Sequence, residues 1–221
     1  MNGASVRSRV GGFVKTAIAR SILLLCAVAV VLTGCATNPP SNADDICAIF
    51  DEKRKWYRAA AKARTRWGSS IPVMMAFAYQ ESSFKAKARP PRRKILGFIP
   101  GPRPASAYGF AQATNETWQA YRKSTGRWGA DRDDFGDAMD FVGWYNEQSN
   151  RKSKIAKTDA YNLYLAYHEG HGGFNRRSHA GKAWLKDAAR KVASRSDRYG
   201  QQLSGCEKRL KRGWLSRLLF R

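Results

Sequence analysis

The chain has 221 residues, 43% of them hydrophobic and 12% aromatic, which is enough for one compact domain with a core and little more, so one domain is expected. Its formal charge of +23 narrows the partners to polyanions. In chain order the first element is a targeting segment, in which Arg7, Arg9, Lys15 and Arg20 precede the apolar run 22–32. The run stops at Gly34, short of the roughly 18 apolar residues that a membrane span needs, so a secretory signal is expected and not a transmembrane helix.

The run closes on Leu32-Thr33-Gly34-Cys35, which resembles a lipobox, where bacterial lipoproteins are cut before a cysteine that then receives diacylglycerol and a further acyl chain. The resemblance implies a signal peptide over 1–34, a lipidated N-terminus at Cys35 and a tether over 35–43 that is polar and Pro-containing (Asn38, Pro39, Pro40, Ser41, Asn42). Two acyl chains anchor stably where one binds only marginally. Ala36 stands where Asp would favour retention in the inner membrane, so the resemblance leans towards the outer membrane, with the domain in the periplasm. Taking the four cations of the signal from +23 leaves +19. For an exported protein the polyanions within reach are cell-wall carboxylates and membrane phosphates, and nucleic acid is not an expected partner.

Beyond the tether the periodicity is helical. Over 44–67, Ile46, Ile49, Phe50, Tyr57, Ala60 and Ala61 recur at three- and four-residue steps and end at Gly68, predicting one helix. Ser70 as N-cap and Pro72 in the first turn predict a second, strongly apolar and buried helix to Ser82. The stretch 87–105, with five prolines interleaved with Arg92, Arg93, Lys94 and Arg103, predicts a long basic loop without a regular element. Further helices are predicted over 115–124, 134–150, 159–168 and 180–199, with no convincing strand pair and no internal repeat. The fold class is therefore all-α, with α-rich α+β as the variant, and the domain is expected to span 44–206. Residues 207–221 form a basic amphipathic tail that either lies on an anionic membrane through Trp214, Leu218 and Phe220 or ends as a solvated terminus.

Of the four cysteines, Cys26 leaves with the signal and Cys35 carries lipid, so Cys47 and Cys206 remain near the ends of the mature domain. In an oxidising compartment they are natural disulfide partners, the alternative being two separately buried thiols.

The sharpest chemical feature is Ala78-Tyr79-Gln80-Glu81-Ser82-Ser83-Phe84. Helix geometry places Glu81 on the face of Phe77, Ala78 and Met74, where loss of water and the negative helix end both raise a carboxyl pKa. A general acid at neutral pH needs that shift. These residues resemble the first motif of the soluble lytic transglycosylase domain, of the goose-type lysozyme-like superfamily: a helix ending in Glu-Ser followed by an aromatic or apolar residue. The family's second motif, Gly-Ala-x-Gly-Leu-Met-Gln, is matched in order by Ser106-Ala107-Tyr108-Gly109-Phe110-Ala111-Gln112, with Ser106 and Ala111 as departures. The third, Ala-Tyr-Asn-x-Gly, is echoed by Ala166-Tyr167-His168-Glu169-Gly170, with His168 replacing Asn.

The resemblance implies a lysozyme-like fold and a cofactor-free enzyme that cleaves peptidoglycan between N-acetylmuramic acid and N-acetylglucosamine. Glu81 would be the acid and base, and the product would carry a 1,6-anhydromuramoyl end. Ser82, Ser83, Tyr108, Gly109, Gln112, Tyr167 and Glu169 would face or position the glycan; Gly109 would permit close backbone approach, Gln112 would face the cleft and Tyr167 would hold Glu81. Glu169 is the candidate for a second carboxylate, which a hydrolytic muramidase would use. A noncatalytic wall-binding lipoprotein is the alternative from another class. His168, Glu169, His171 and His179 also invite a metal reading, but the histidines are three apart and glycines interrupt the helix, unlike the four-residue spacing of a zinc peptidase, so no metal is expected.

Overall fold

A computed structural model describes residues 38–92, 94–95, 99–100 and 105–219. The expected signal peptide and the lipidation site at Cys35 lie outside them. Seven helices are present among the described residues: α1 (Ile46–Glu52), α2 (Arg54–Trp67), α3 (Ile71–Ser82), α4 (Asn115–Thr125), α5 (Phe135–Ser153), α6 (Ala160–Asn175) and α7 (Ala183–Leu219). Among the described residues between α3 and α4 there is a two-residue antiparallel ladder, β1 (Lys94–Ile95) with β2 (Ile99–Pro100). That is a small correction to the loop expected there: Pro100 sits in a ladder that has two strands among the described residues, where a missing N–H is tolerated.

Most helix ends follow the local chemistry. Gly68 (φ 72°) and Gly126 (φ 70°) end α2 and α4 in the left-handed conformation open to glycine. The side chains of Asp45, Thr114, Asp134 and Asp159 cap α1, α4, α5 and α6 by accepting backbone N–H bonds. Ser70 holds the N-cap position of α3, but its side chain makes no capping bond.

Three expected helices differ. The segment 44–67 is divided at Lys53 (φ −110°, ψ 61°). The break turns Ile46, Ile49 and Phe50 into one buried set and lets Trp56 stack face to face on Phe135 at 3.9 Å, with Phe84 and Phe110 against its edges at 5.6 and 5.5 Å. The helix expected to end at His168 resumes beyond Gly170 (φ 69°, ψ 159°) and runs to Asn175. The last helix continues through the expected tail as far as Leu219. Its buried positions Leu185, Ala189, Val192, Ser196, Tyr199, Leu203 and Cys206 recur at three- and four-residue steps, so isolated Gly200 and Gly205 do not stop it.

The buried α3 is the axis of the domain. Seven of its residues from Ile71 to Ala78 are at most 1% exposed, and it packs chiefly against α7 while α2 packs against α5. The first and last helices are clasped by the Cys47–Cys206 disulfide, with Cα atoms 6.1 Å apart and a sequence separation of 159. Gln202 accepts from the Ile46 N–H at 3.0 Å, and Arg209 pairs with Asp51 at 2.5 and 2.8 Å. Among the described residues no helix is long and apolar enough to cross a membrane.

Candidate active site

The C-terminal end of α3 carries the least comfortable carboxyl of the domain. Glu81 follows the fully buried Phe77 and Ala78 by one turn and keeps part of its own surface open. Burial pushes its pKa up to about 7, against a hydrogen-bonding interaction with the Tyr164 hydroxyl that acts in the opposite direction. No other carboxylate contributes to the shift. The chain then turns abruptly, because Ser83 (φ 50°) and Phe84 (φ 60°) both take left-handed backbone, a conformation that costs a non-glycine residue about 1–2 kcal/mol. Phe84 is fully buried beside Trp56 and Tyr79, and this packing holds the turn. Ser82 folds its hydroxyl back onto the Ala78 carbonyl at 2.9 Å, while Ser83 is exposed.

The opposing wall comes from α6. Tyr164 and Tyr167 lie three residues apart on one helix face, and both rings pack edge-on against Phe77 at 5.4 Å. Both phenols are shifted upwards by burial first and then by the charge of Glu81. The Tyr167 hydroxyl donates to the Ala111 carbonyl, which ties the second motif to the third. Tyr164 is a site residue that the motif comparison missed, since the matched stretch begins at Ala166; its three-residue spacing from Tyr167 was the available signal.

The second motif forms a tight turn closed by the Tyr108–Ala113 bridge. Gly109 (φ 82°) is needed there twice over: its conformation is left-handed, and a Cβ would stand 2.0 Å from the Arg132 carbonyl oxygen. The close approach expected of this glycine is therefore made to Arg132. Gln112, also left-handed at φ 48°, donates its amide to the carbonyls of Ala88 at 2.9 Å and Gly109 at 2.8 Å. Its Nε2 thus knits the turn to the segment following α3. The Tyr108 hydroxyl donates to Asp133 at 2.8 Å.

Glu169 points elsewhere. It lies two residues beyond Tyr167, about 200° around an ideal helix, and its side chain is only 4% exposed. Burial by itself would raise its pKa, but the Lys182 ammonium at 2.7 and 2.8 Å, the Ser178 hydroxyl and His168 hold it down to about 2. It joins α6 to the segment entering α7 and takes no part in the Glu81–Tyr164–Tyr167 cluster. The three histidines go separate ways: His168 against the exposed Trp184, His171 onto Tyr145 and Ser149, His179 onto Phe174. Among the described residues no three metal-ligating side chains converge.

Three segments distant in sequence thus meet around one carboxyl of raised pKa, on an all-helical frame. The family described as transglycosylase SLT domain matches residues 23–206. No curated protein and no solved structure matches the chain. The chain belongs to the transglycosylase SLT-domain family, lysozyme-like in fold and acting on peptidoglycan.

Proposed function

We propose that the protein is a lytic transglycosylase that cleaves the β-1,4 bond between N-acetylmuramic acid and N-acetylglucosamine, with Glu81 as both acid and base. The observation that carries this is the carboxyl itself: half-buried, against an aromatic wall, with a pKa near 7, it holds its proton where a glycosidic oxygen must be protonated. Glu81 gives that proton to the leaving oxygen as the bond to the muramoyl C1 breaks. The resulting carboxylate then takes the proton of the muramoyl 6-hydroxyl as O6 bonds to C1, which closes the 1,6-anhydro ring and returns Glu81 to its starting state. Tyr164 orients the carboxyl, and Tyr167, through Ala111, positions the turn that carries Tyr108, Gly109 and Gln112.

Ordinary glycoside hydrolysis uses two carboxyls about 5–10 Å apart across the bond. Glu169, the candidate for the second, is committed to Lys182 and Ser178, which favours the intramolecular route with its single essential carboxyl. The chain organisation that fits this activity is a signal peptide over 1–34, acylated Cys35, a tether over 35–43, a catalytic domain over 44–206 and a basic extension over 207–221. Lipid anchoring would keep the domain in the periplasm against the wall, with the outer membrane favoured.

Glu81→Gln is the direct test. It keeps shape and hydrogen bonding and removes the titrating proton, so release of soluble glycan fragments from purified peptidoglycan should fall at least about a thousandfold. Unchanged release by the variant contradicts the assignment. If wild-type protein binds the wall without releasing fragments, the groove is a binding module.

A further inference from the structure

Between Glu81 and Glu116 the sequence carries seven Lys and Arg and no Asp or Glu. In the described part of this stretch the Arg89 guanidinium lies 4.3 Å from the centroid of the Tyr108 ring. Arg132, arriving from the segment before α5, lies 5.3 Å from the same centroid. Among the described residues neither guanidinium makes an ion pair, whereas Arg64, Arg66, Arg127, Arg151 and Arg195 all do. The nearby carboxylate, Asp133, already accepts the Tyr108 hydroxyl. Arg132 is pinned by bonds to the carbonyls of Ser106 at 3.0 Å and Ala113 at 2.8 Å. Arg89 is exposed and makes no hydrogen bond from its side chain among the described residues.

Two like charges gathered on one ring repel: partial burial and then the charge of Arg89 push the Arg132 pKa down, and the opposing charges of Tyr108 and Asp133 do not fully offset them. An anion bound beside both would offset that repulsion and could accept from the exposed Arg89 guanidinium and from the N–H groups of Arg132 not already given to Ser106 and Ala113. The cluster also stands at the edge of the site. Ala88, next to Arg89, accepts bonds from Gly109 and Gln112, and Ala111 of the same turn accepts from Tyr167, which lies in the field of Glu81.

We propose that Arg89 and Arg132, both packed on Tyr108, form a carboxylate-binding subsite that grips the peptide stem of the strand being cut. This rests on the reading that the strand is peptidoglycan. In intact wall the muramoyl lactyl carboxyl is tied up in the amide to the stem, so the available carboxylates belong to the stem; removal of the stems by an amidase frees the lactyl carboxylate. The two sources of the same anion can therefore be separated by substrate.

The test is binding by the full chain in mild detergent, carrying Glu81→Gln so that nothing is cleaved, to peptide-bearing and to amidase-stripped glycan. Adding Arg89→Gln should weaken binding to the peptide-bearing strands about five- to tenfold, as expected for a charge-assisted contact at a partly exposed site, and Arg89→Lys should restore part of the loss. Arg132→Gln should act on the same strands, but it also releases two backbone carbonyls, so Arg89 is the cleaner position. An equal loss on stripped strands, or no loss on either, overturns the proposal. Because binding is read without cleavage, such a failure leaves the catalytic role of Glu81 untouched, and a failure of catalysis leaves this result readable.

Discussion

Glu81 binds its proton more tightly in the native protein than an exposed carboxyl does, and the consequence has a definite sign. With the pKa raised from 4.5 to about 7, the native state holds a proton across that window while the unfolded chain has lost its own, so stability declines as pH rises from about 4.5 to 7. Glu81→Gln removes the cost of the buried charge. After discounting for the open part of the side chain, the variant should be about 1–2 kcal/mol more stable than wild type at pH 8 and indistinguishable at pH 4, as measured by urea denaturation. Turnover should fall as pH rises above about 7, because the acid is then ionised. Glu169 carries the opposite sign. Its pKa, lowered to about 2, contributes stability above the unfolded value that is lost as pH falls from about 4.5 towards 2. Lys182→Met should cost about 1–2 kcal/mol at pH 7, moderated because the Lys182 side chain is 41% exposed, and progressively less as the pH is taken below 4.5.

At the scale of elements, the turn of the second motif depends on one glycine. Gly109→Ala places a Cβ against the Arg132 carbonyl in left-handed backbone, so a loss of more than about 2 kcal/mol is expected. The altered turn should lower activity by a larger factor than stability explains, since Ala111 and Gln112 move with it. The helix ends at Gly68, Gly126, Asp134 and Asp159 were legible in the sequence because each is decided within a few residues. The break at Lys53 was not. Nothing local marks it, and it exists because Trp56 reaches a partner in α5, 79 residues further along the chain. The continuation of α7 was hidden for the converse reason: its glycines look like stops until the buried face against α1 and α3 is known. The same divide runs through the site. The motifs containing Glu81, Gln112 and Tyr167 could be read from residue order, whereas the direction of Glu169 and the approach of Tyr164 follow from the packing of α6 around Gly170.

For the whole molecule, one covalent bond ties the ends of the domain together. The Cys47–Cys206 bridge spans 159 residues of sequence, and in the chain-entropy model a loop of that length is worth about 4–5 kcal/mol. Reduction, or Cys206→Ser, should therefore lower the melting temperature by roughly 10 °C in a domain of this size, with α1 and the far part of α7 losing hydrogen-exchange protection first. Such a clasp suits an exported protein in an oxidising compartment, and a strongly basic surface suits work on a wall rich in carboxylates. The measurement that tests the central claim most directly is the mass of the muramoyl ends released from peptidoglycan by wild-type protein and by Glu81→Gln. The account predicts 1,6-anhydro ends from the wild type and none from the variant. Hydrated ends, one water heavier, would contradict it by requiring a second carboxyl to activate that water.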